Sequence, residues 1–233
     1  MSVLSWNCRG VGLPWNIQFL TDMVRQEKLI FIFLCEILNR RDKLEWVLNK
    51  LGGMKVYLWL ILKERVGGGG VGDALAKLRG FSQNHIDMEV NVKGMTNWSL
   101  TWMYGEPNWS QRKKTWDLLR YLTRDSNLSW CVIGDMNNIV SQQDKRGVAQ
   151  YLRWLIDGFN DTLVDTGLID MEIVDHQYTW ERGRGTMEWM EVRLDRALLS
   201  TTWMANFLEA KLYNLEGTSS DHSPVFLIPQ KFE

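Results

Sequence analysis

The stretch Ser219-Ser220-Asp221-His222-Ser223-Pro224 sets a carboxylate directly beside an imidazole. That is a compact way to place a metal-binding oxygen next to a proton acceptor. The chain has three histidines, and only His222 has an acid on one side and a proline two residues on. Pro224 cannot donate to a sheet and fixes its own φ, so it suits a rigid corner before Val225-Phe226-Leu227-Ile228. By itself an Asp-His pair reads as a surface loop. It gains weight from other polar residues that end strand-like apolar runs: Asn7, Glu36, Tyr104, Asp135 with Asn137, and Asp195. Each alone has an ordinary explanation. Asn7 could cap a turn, Glu36 could pair with Arg40, Gly134-Asp135 is a common turn pair, and Asp195 could pair with Arg193 or Arg196. Together they describe a site lined by carboxylates, amides and one imidazole. A carboxylate at the end of a buried strand must find a partner or a metal, because an unpaired buried charge is costly.

The chemistry of such a site follows from its donors. Glu36 and Asp221 offer oxygen ligands, which suit a hard cation, Mg2+ or in its place Mn2+. No cluster of histidine and cysteine offers a zinc alternative. A hard cation beside His222 and a second carboxylate suits hydrolysis of a phosphate ester: the cation neutralises developing charge and a base activates water.

The elements that must position these groups can be read from periodicity. Strands are expected over residues 2–6, 29–35, 55–62, 86–92, 98–103 and 130–133, and helices over 15–25, 42–51, 111–122 and 152–168. Residues 29–35 form a continuous apolar run, the mark of a strand covered on both faces. A further strand over 74–78 fits less well because of Asp73 and Lys77. Residues 67–72 are five glycines and a valine and read as a mobile loop; no Lys-Ser/Thr follows at P-loop spacing, so a phosphate cradle is rejected. Residues 177–180 and 187–194 flank Glu181-Arg182-Gly183-Arg184-Gly185, a hairpin whose tip carries two arginines. Helices and strands alternate, yet the strands pair as hairpins more often than as βαβ units. The expected class is α/β (α+β) with two mixed, mostly antiparallel sheets and helices outside.

Composition bounds the rest. A chain of 233 residues, 45% hydrophobic and 24% charged, fits one globular domain over residues 1–233. The net charge of -1 argues against non-specific wrapping of nucleic acid, although a local basic face remains compatible with it. Cys8, Cys35 and Cys131 are odd in number and far apart, which points to a reduced, intracellular protein, with the nucleus a plausible destination. No signal-peptide pattern is visible, and the longest apolar runs are far short of the ~20 residues of a membrane helix. Thirteen tryptophans could serve a core or stack on bases, so the count decides nothing.

Six ordered motifs carry a resemblance: Ser5-Trp6-Asn7, Cys35-Glu36, Tyr104-Gly105-Glu106-Pro107, Gly134-Asp135-Met136-Asn137, Arg193-Leu194-Asp195 and Ser220-Asp221-His222. They resemble the endonuclease/exonuclease/phosphatase superfamily. Asn84-His85-Ile86-Asp87, Thr115-Trp116-Asp117-Leu118-Leu119, Asp144-Lys145-Arg146-Gly147 and Tyr178-Thr179-Trp180 narrow the likeness to the apurinic-like endonuclease domain of plant non-LTR (LINE-type) retrotransposons. The resemblance implies a DNase I-like four-layer αββα sandwich with the site at one edge. It also implies roles. Glu36 would bind Mg2+, with Asn7 and Asp221 close to it. His222, oriented by Asp195, would touch the scissile phosphate, Asp135 would handle a proton with Asn137 positioning it, and Tyr104 would hydrogen-bond the phosphate. Trp180, Arg182, Arg184 and Arg9 would face DNA, the hairpin of residues 180–186 resembling a loop that these enzymes press against the duplex.

The departures bear on activity. Glu36 is followed by Ile37-Leu38 where the family usually has Thr-Lys. Met136 replaces a phenylalanine, a mild apolar exchange. Residues 60–78 replace a Ser-Gly-Gly-Leu-Ala stretch with the glycine run. The expected activity is therefore a Mg2+-dependent DNA-nicking endonuclease acting as a monomer, without a membrane and without a reverse transcriptase domain in this chain. The competing readings are a decayed or co-opted retroelement fragment, and a phosphoesterase with a different substrate.

Overall fold

The computed structural model describes residues 1–8, 14–26, 31–36, 57–62, 65–69, 75–92, 94–124, 127–215 and 220–229. Among them, strands form two large sheets and one small one. In spatial order the first large sheet contains Ile173–Val174 (β11), Lys211–Asn214 (β15), Val225–Ile228 (β16), Val3–Asn7 (β1), Phe31–Cys35 (β2), Tyr57–Leu62 (β3) and Arg65–Gly69 (β4). The second contains Leu168–Asp170 (β10), Asp195–Ser200 (β14), Ser129–Asp135 (β8), Trp98–Tyr104 (β7), His85–Val90 (β6) and Ala76–Phe81 (β5). The small sheet joins Trp180–Arg182 (β12), Met190–Val192 (β13) and Lys145–Arg146 (β9). Both large sheets are mixed. The second is antiparallel except where β7 runs parallel to β8, and in the first β1, β2 and β3 are mutually parallel.

The two large sheets pack face to face, and alternation along β1 and β2 makes this possible. Val3, Phe31, Phe33 and Cys35 enter the shared core, where they meet Ile86, Met88, Trp98, Trp102, Ile133 and Leu199 of the other sheet. Leu4, Trp6, Ile32 and Leu34 face the other way and pack with Leu20 and Val24 of helix Pro14–Gln26. On the far side of the second sheet, Met103, Val132 and Leu198 pack against Trp116 and Leu119 of helix Lys113–Arg124 and Leu155, Phe159 and Leu163 of helix Arg153–Thr166. This is the αββα sandwich. Trp6, Trp98, Trp102 and Trp203 are fully buried, so much of the tryptophan content serves the core. Cys8, Cys35 and Cys131 are buried free thiols.

Several expectations are corrected here. The glycine run is not wholly a loop: Gly67, Gly68 and Gly69 lie in β4 and pair with Leu60, Trp59 and Leu58. A backbone ladder needs no side chain, so glycine can occupy it, at an entropic cost. The helix expected over 152–168 stops at Thr166. Gly167, at φ +65°, caps it through its N–H to Leu163 and Val164 carbonyls, and Leu168 opens β10 instead. The strand near residue 74 starts at Ala76, at a sheet edge, where Lys77 is exposed and serves as a charged guard. Asp73, and the helix expected over 42–51, fall outside the described residues. No described helix is long and apolar enough to cross a membrane.

Candidate active site

Cross-strand register builds one side of the site. β8 lies between β7 and β14, and Asp135 sits opposite Tyr104 on one neighbour and Asp195 on the other. Two backbones come close where that row ends. Gly134 has φ +148°, and a Cβ there would stand 2.0 Å from the Met103 carbonyl oxygen; a Cβ on Gly105 would stand 2.3 Å from that of Met136. Glycine is therefore dictated at both positions by close approach. Asn137 has φ +50°, a left-handed conformation that asparagine tolerates better than most residues. The turn brings its backbone N–H to Asp135 Oδ1 at 2.8 Å, and its side-chain Nδ2 donates to Gly105 O at 2.9 Å and Asp135 Oδ2 at 3.2 Å.

The other sheet supplies the opposite side. Asn7 ends β1 opposite Cys35, and Glu36 follows Cys35 at φ +52°. A non-glycine residue at positive φ is strained, which marks Glu36 as held in place by its surroundings. One such contact is its Oε1, which accepts the Tyr104 hydroxyl across the sheets. Asn7 Nδ2 donates to Asp135 Oδ2 at 3.1 Å and lies 3.4 Å from His222 Nε2.

The Asp221-His222 turn is anchored from several sides. Ser220 Oγ donates to Asn7 O at 3.0 Å, Trp6 Nε1 donates to His222 O at 3.0 Å, and Trp180 Nε1 donates to Asp221 Oδ2 at 3.2 Å. The result is that His222 Nδ1 stands 2.9 Å from Asp195 Oδ2, while Nε2 stands 3.8 Å from Asp135 Oδ2. Asp195, Asp135, Asn7 and His222 are all buried.

Electrostatics separate their roles. Burial opposes charge on His222, but Asp195 and then Asp135 outweigh it and raise its pKa to about 9. His222 is thus an imidazolium at neutral pH. Asp135 is pushed up to about 6, first by burial and then by the Asp195 charge, against the pull of His222 and the N–H groups of Asn137 and Asn7. A carboxyl poised near 6 can both accept and release a proton near neutrality. Burial, then the hydrogen bond to Glu36, raises the Tyr104 pKa and keeps its phenol protonated.

The donors also fit a divalent cation. Asp135, Asp195 and His222 offer ligand atoms within 4.8 Å of one another. Yet His222 Nδ1 already holds Asp195 Oδ2 at 2.9 Å, and a cation between them would break that pair, although Asp195 Oδ1 is itself buried without a hydrogen bond among the described residues. The better fit lies beside it. Asn7 Oδ1 is buried and has no hydrogen bond among the described residues. A hard cation would complete that orphaned amide oxygen, and the carboxylates next to it along the backbone are Glu36, which follows the strand partner of Asn7, and Asp221, which follows the Ser220 that binds the Asn7 carbonyl.

The residues expected to face DNA are placed less uniformly. Trp180 is half-buried, with its ring centroid 6.4 Å from that of His222. Arg182 and Arg184 are exposed on the hairpin, but Arg184 is tied to Glu181 through Nε and Nη2, both at 2.5 Å. Arg9 falls outside the described residues. The hairpin is shorter than expected, β12 pairing with β13 only over Trp180–Arg182 and Met190–Val192. At Arg193-Leu194 the chain leaves the small sheet for the large one.

Three supporting residues stand in the motifs quoted above but were given no role there. Thr179 Oγ1 accepts from the backbone N–H groups of Leu194 at 3.1 Å and Asp195 at 2.9 Å, which fixes where Asp195 begins its strand. Trp6 and Ser220 hold the histidine turn as described above. Buried Thr and Ser in motif flanks were the available signal, since a buried hydroxyl needs a backbone partner.

Comparison with known proteins agrees with this geometry. No curated protein sequence matches the chain. Among solved structures, it is similar to the endonuclease domain of TRAS1, a telomere-specific non-LTR retrotransposon: TM-score 0.69, 14% identity, 97% of this chain and 96% of that one covered. It is similar to the 3′ phosphatase NExo from Neisseria bound to product DNA hairpin, with TM-score 0.68, 16% identity and 98% of each chain covered. Truncated Caenorhabditis elegans TDP2 follows with TM-score 0.61, 15% identity and coverage of 97% of this chain and 96% of that one. At these identities the likeness establishes the fold alone. The Endonuclease/Exonuclease/phosphatase family model matches residues 4–222, a span that runs from the first strand of the sandwich to His222 itself, and the chain belongs to that family.

Proposed function

We propose that this protein is a Mg2+-dependent endonuclease that nicks DNA to leave 3′-hydroxyl and 5′-phosphate ends, derived from a LINE-type retroelement. One observation carries the reading: His222, in a turn and held at 2.9 Å by Asp195, meets the buried Asp135, held by Asn7 and Asn137, beside the orphaned Asn7 Oδ1.

Glu36, Asp221 and Asn7 Oδ1 would hold the cation, which supplies charge neutralisation at the phosphate oxygens. Asp135 takes a proton from the attacking water, a task suited to a carboxyl near pKa 6. Asn7 and Asn137 fix the carboxylate through their N–H groups, so its free lone pair has one direction. His222, charged and oriented by Asp195, donates from Nε2 to a non-bridging oxygen and stabilises the negative charge of the transition state. The new bond joins water oxygen to phosphorus, and the P–O3′ bond breaks. The departing O3′ takes a proton from solvent, and Asp135 later returns its own. Tyr104 keeps Glu36 in place and presents its phenol edge to the phosphate. Trp180 and Arg182 supply the DNA-facing rim, with Arg9 a further cation for the DNA backbone.

A supercoiled-plasmid assay tests this. Open circles in Mg2+, none in EDTA, and none with His222→Ala are expected. A folded, metal-loaded protein that leaves the plasmid closed would sink the reading in favour of a decayed copy.

A further inference from the structure

Arg112 precedes helix Lys113–Arg124 and lies outside every motif used above. Its Nε and Nη1 are buried, yet neither has a hydrogen-bond partner among the described residues. Among those residues no carboxylate pairs with it either. Burial lowers its pKa to about 10, with Asp135 and then Glu106 partly opposing that shift. The guanidinium is also linked by contacts to the catalytic turn at Asn137. Its plane is set by Tyr151, whose ring centroid lies 5.5 Å from the guanidinium carbon, and Tyr151 in turn donates its hydroxyl to Asn137 O at 3.2 Å. Arginine, aromatic ring and catalytic turn therefore form one connected unit.

Arg112 as a whole is half-buried, but leaving two buried guanidinium nitrogens without a partner is costly, and a ligand that completes them removes that cost. The missing partner must be anionic, and a guanidinium fork matches a phosphate in shape. Exposed Trp109 and Trp154, edge to face at 6.1 Å, flank this region and add apolar surface of the sort on which nucleic-acid bases rest. We infer that Arg112, stacked on Tyr151, is a second phosphate-binding position, which grips a backbone phosphate of the DNA strand next to the one being cleaved. This rests on the phosphodiester reading above and adds to it a contact beside Asn137.

The test measures binding in EDTA, so that cleavage plays no part. A short labelled DNA duplex is titrated by anisotropy across a salt series with wild type, Arg112→Met and Arg112→Lys, and unfolding is followed with and without inorganic phosphate. Arg112→Met should bind about tenfold more weakly, and its log-log salt slope should fall by about one. It should be at least as stable as wild type, because methionine fills the space without an unpaired charge. Inorganic phosphate should stabilise wild type but not this variant. Arg112→Lys should keep the slope and lose part of the affinity, since it retains charge but not the planar fork. Unchanged affinity and slope in a folded Arg112→Met protein would overturn the proposal. So would a loss confined to stability, which would make Arg112 a structural support. A wild type that binds DNA through Arg112 in EDTA but does not nick it in Mg2+ removes the endonuclease reading and supports the phosphate site.

Discussion

The two walls of the site are held by different means. On the wall from the second sheet, Tyr104, Asp135 and Asp195 lie in one cross-strand row, each fixed by the backbone ladder of its own strand. On the other wall only Asn7 is in a strand. Glu36 lies one residue beyond β2, and Asp221 and His222 lie in a turn held by one isolated backbone bridge to Trp180 and by side-chain hydrogen bonds from Ser220, Trp6 and Trp180. A residue inside a continuous ladder cannot move without the sheet, whereas a turn held by a single bridge and side-chain hydrogen bonds can shift by tenths of an ångström. The rigid wall therefore sets proton-transfer geometry, and the adjustable wall meets the groups that come and go, cation and phosphate.

The largest effect should come from the joint between the walls. Asp195→Asn leaves the ladder intact but removes the charge that orients and protonates His222. By analogy with carboxylate–histidine pairs in other hydrolases, kcat should fall by about 10^3–10^4. Ser220→Ala loosens only the turn, and should cost about tenfold. Plasmid-nicking rates for both variants in saturating Mg2+ check the contrast. Equal losses would mean that the turn is as fixed as the ladder.

Next comes stability of the rigid wall. Gly134→Ala places a Cβ 2.0 Å from the Met103 carbonyl, at φ +148°, and nothing there can yield except the backbone of an adjacent strand. A loss of about 3 kcal/mol or more is expected. Gly167→Ala, at φ +65° with open space around it, should lose only about 1 kcal/mol. Urea denaturation of the two variants separates close approach from left-handed strain. A mild Gly134→Ala would show that β7 and β8 can part, and the ladder argument would fail with it.

The same division explains what could be seen in the sequence. Tyr104 and Asp135 each close an apolar run and Asp195 opens one, so their place at a strand end is a local property that periodicity reveals. That the three share one row is not local; it needs the order β7-β8-β14, which no run of side chains states. The sandwich was visible through the family motifs and through the alternation of helices with hairpin-paired strands, but β4 was hidden because a glycine strand has no side-chain pattern to read. Thr179 and Trp6 were invisible as site residues for a related reason. They act through backbone partners far away in the chain, and only the fold defines those partners. Arg184 could not be told apart from Arg182 at the hairpin tip, since only the fold shows that Glu181, three residues before it, turns back and binds it.

A smaller effect concerns pH in the absence of metal. The folded pKa of His222, about 9, lies above the ordinary histidine value of 6.5, so its charge stabilises the fold. That contribution is fully present below pH 6.5 and is lost as pH rises through 9. With about 1.4 kcal/mol for each tenfold gain in proton affinity, it amounts to at most a few kcal/mol. In EDTA, unfolding free energy should therefore decline from pH 6.5 to 9 in wild type, and the decline should be absent in His222→Gln. An equal decline in both would place its origin elsewhere, and would weaken the claim that the two walls are joined by an ion pair.

The smallest effect lies at the rim, where the two hairpin arginines are chemically alike and structurally different. Arg182 is exposed and makes no hydrogen bond or ion pair among the described residues, so its charge is available to a phosphate. Arg184 already spends two donors on Glu181, and its side chain is 80% exposed. An exposed pair of this kind is worth only about 0–1 kcal/mol, so DNA could break it, but the carboxylate would then stand near the incoming phosphate and oppose it. Arg182→Ala should lower the salt slope of DNA binding by about one and weaken affinity a fewfold. Arg184→Ala should do less, because it removes a charge that Glu181 largely cancels. Glu181→Gln should tighten binding by freeing Arg184, and the gain should vanish in the Arg184→Ala background. Anisotropy in EDTA across a salt series reads all four proteins. If the two arginine variants prove equal, Glu181 does not restrain Arg184 in solution, and the hairpin meets DNA as one basic tip.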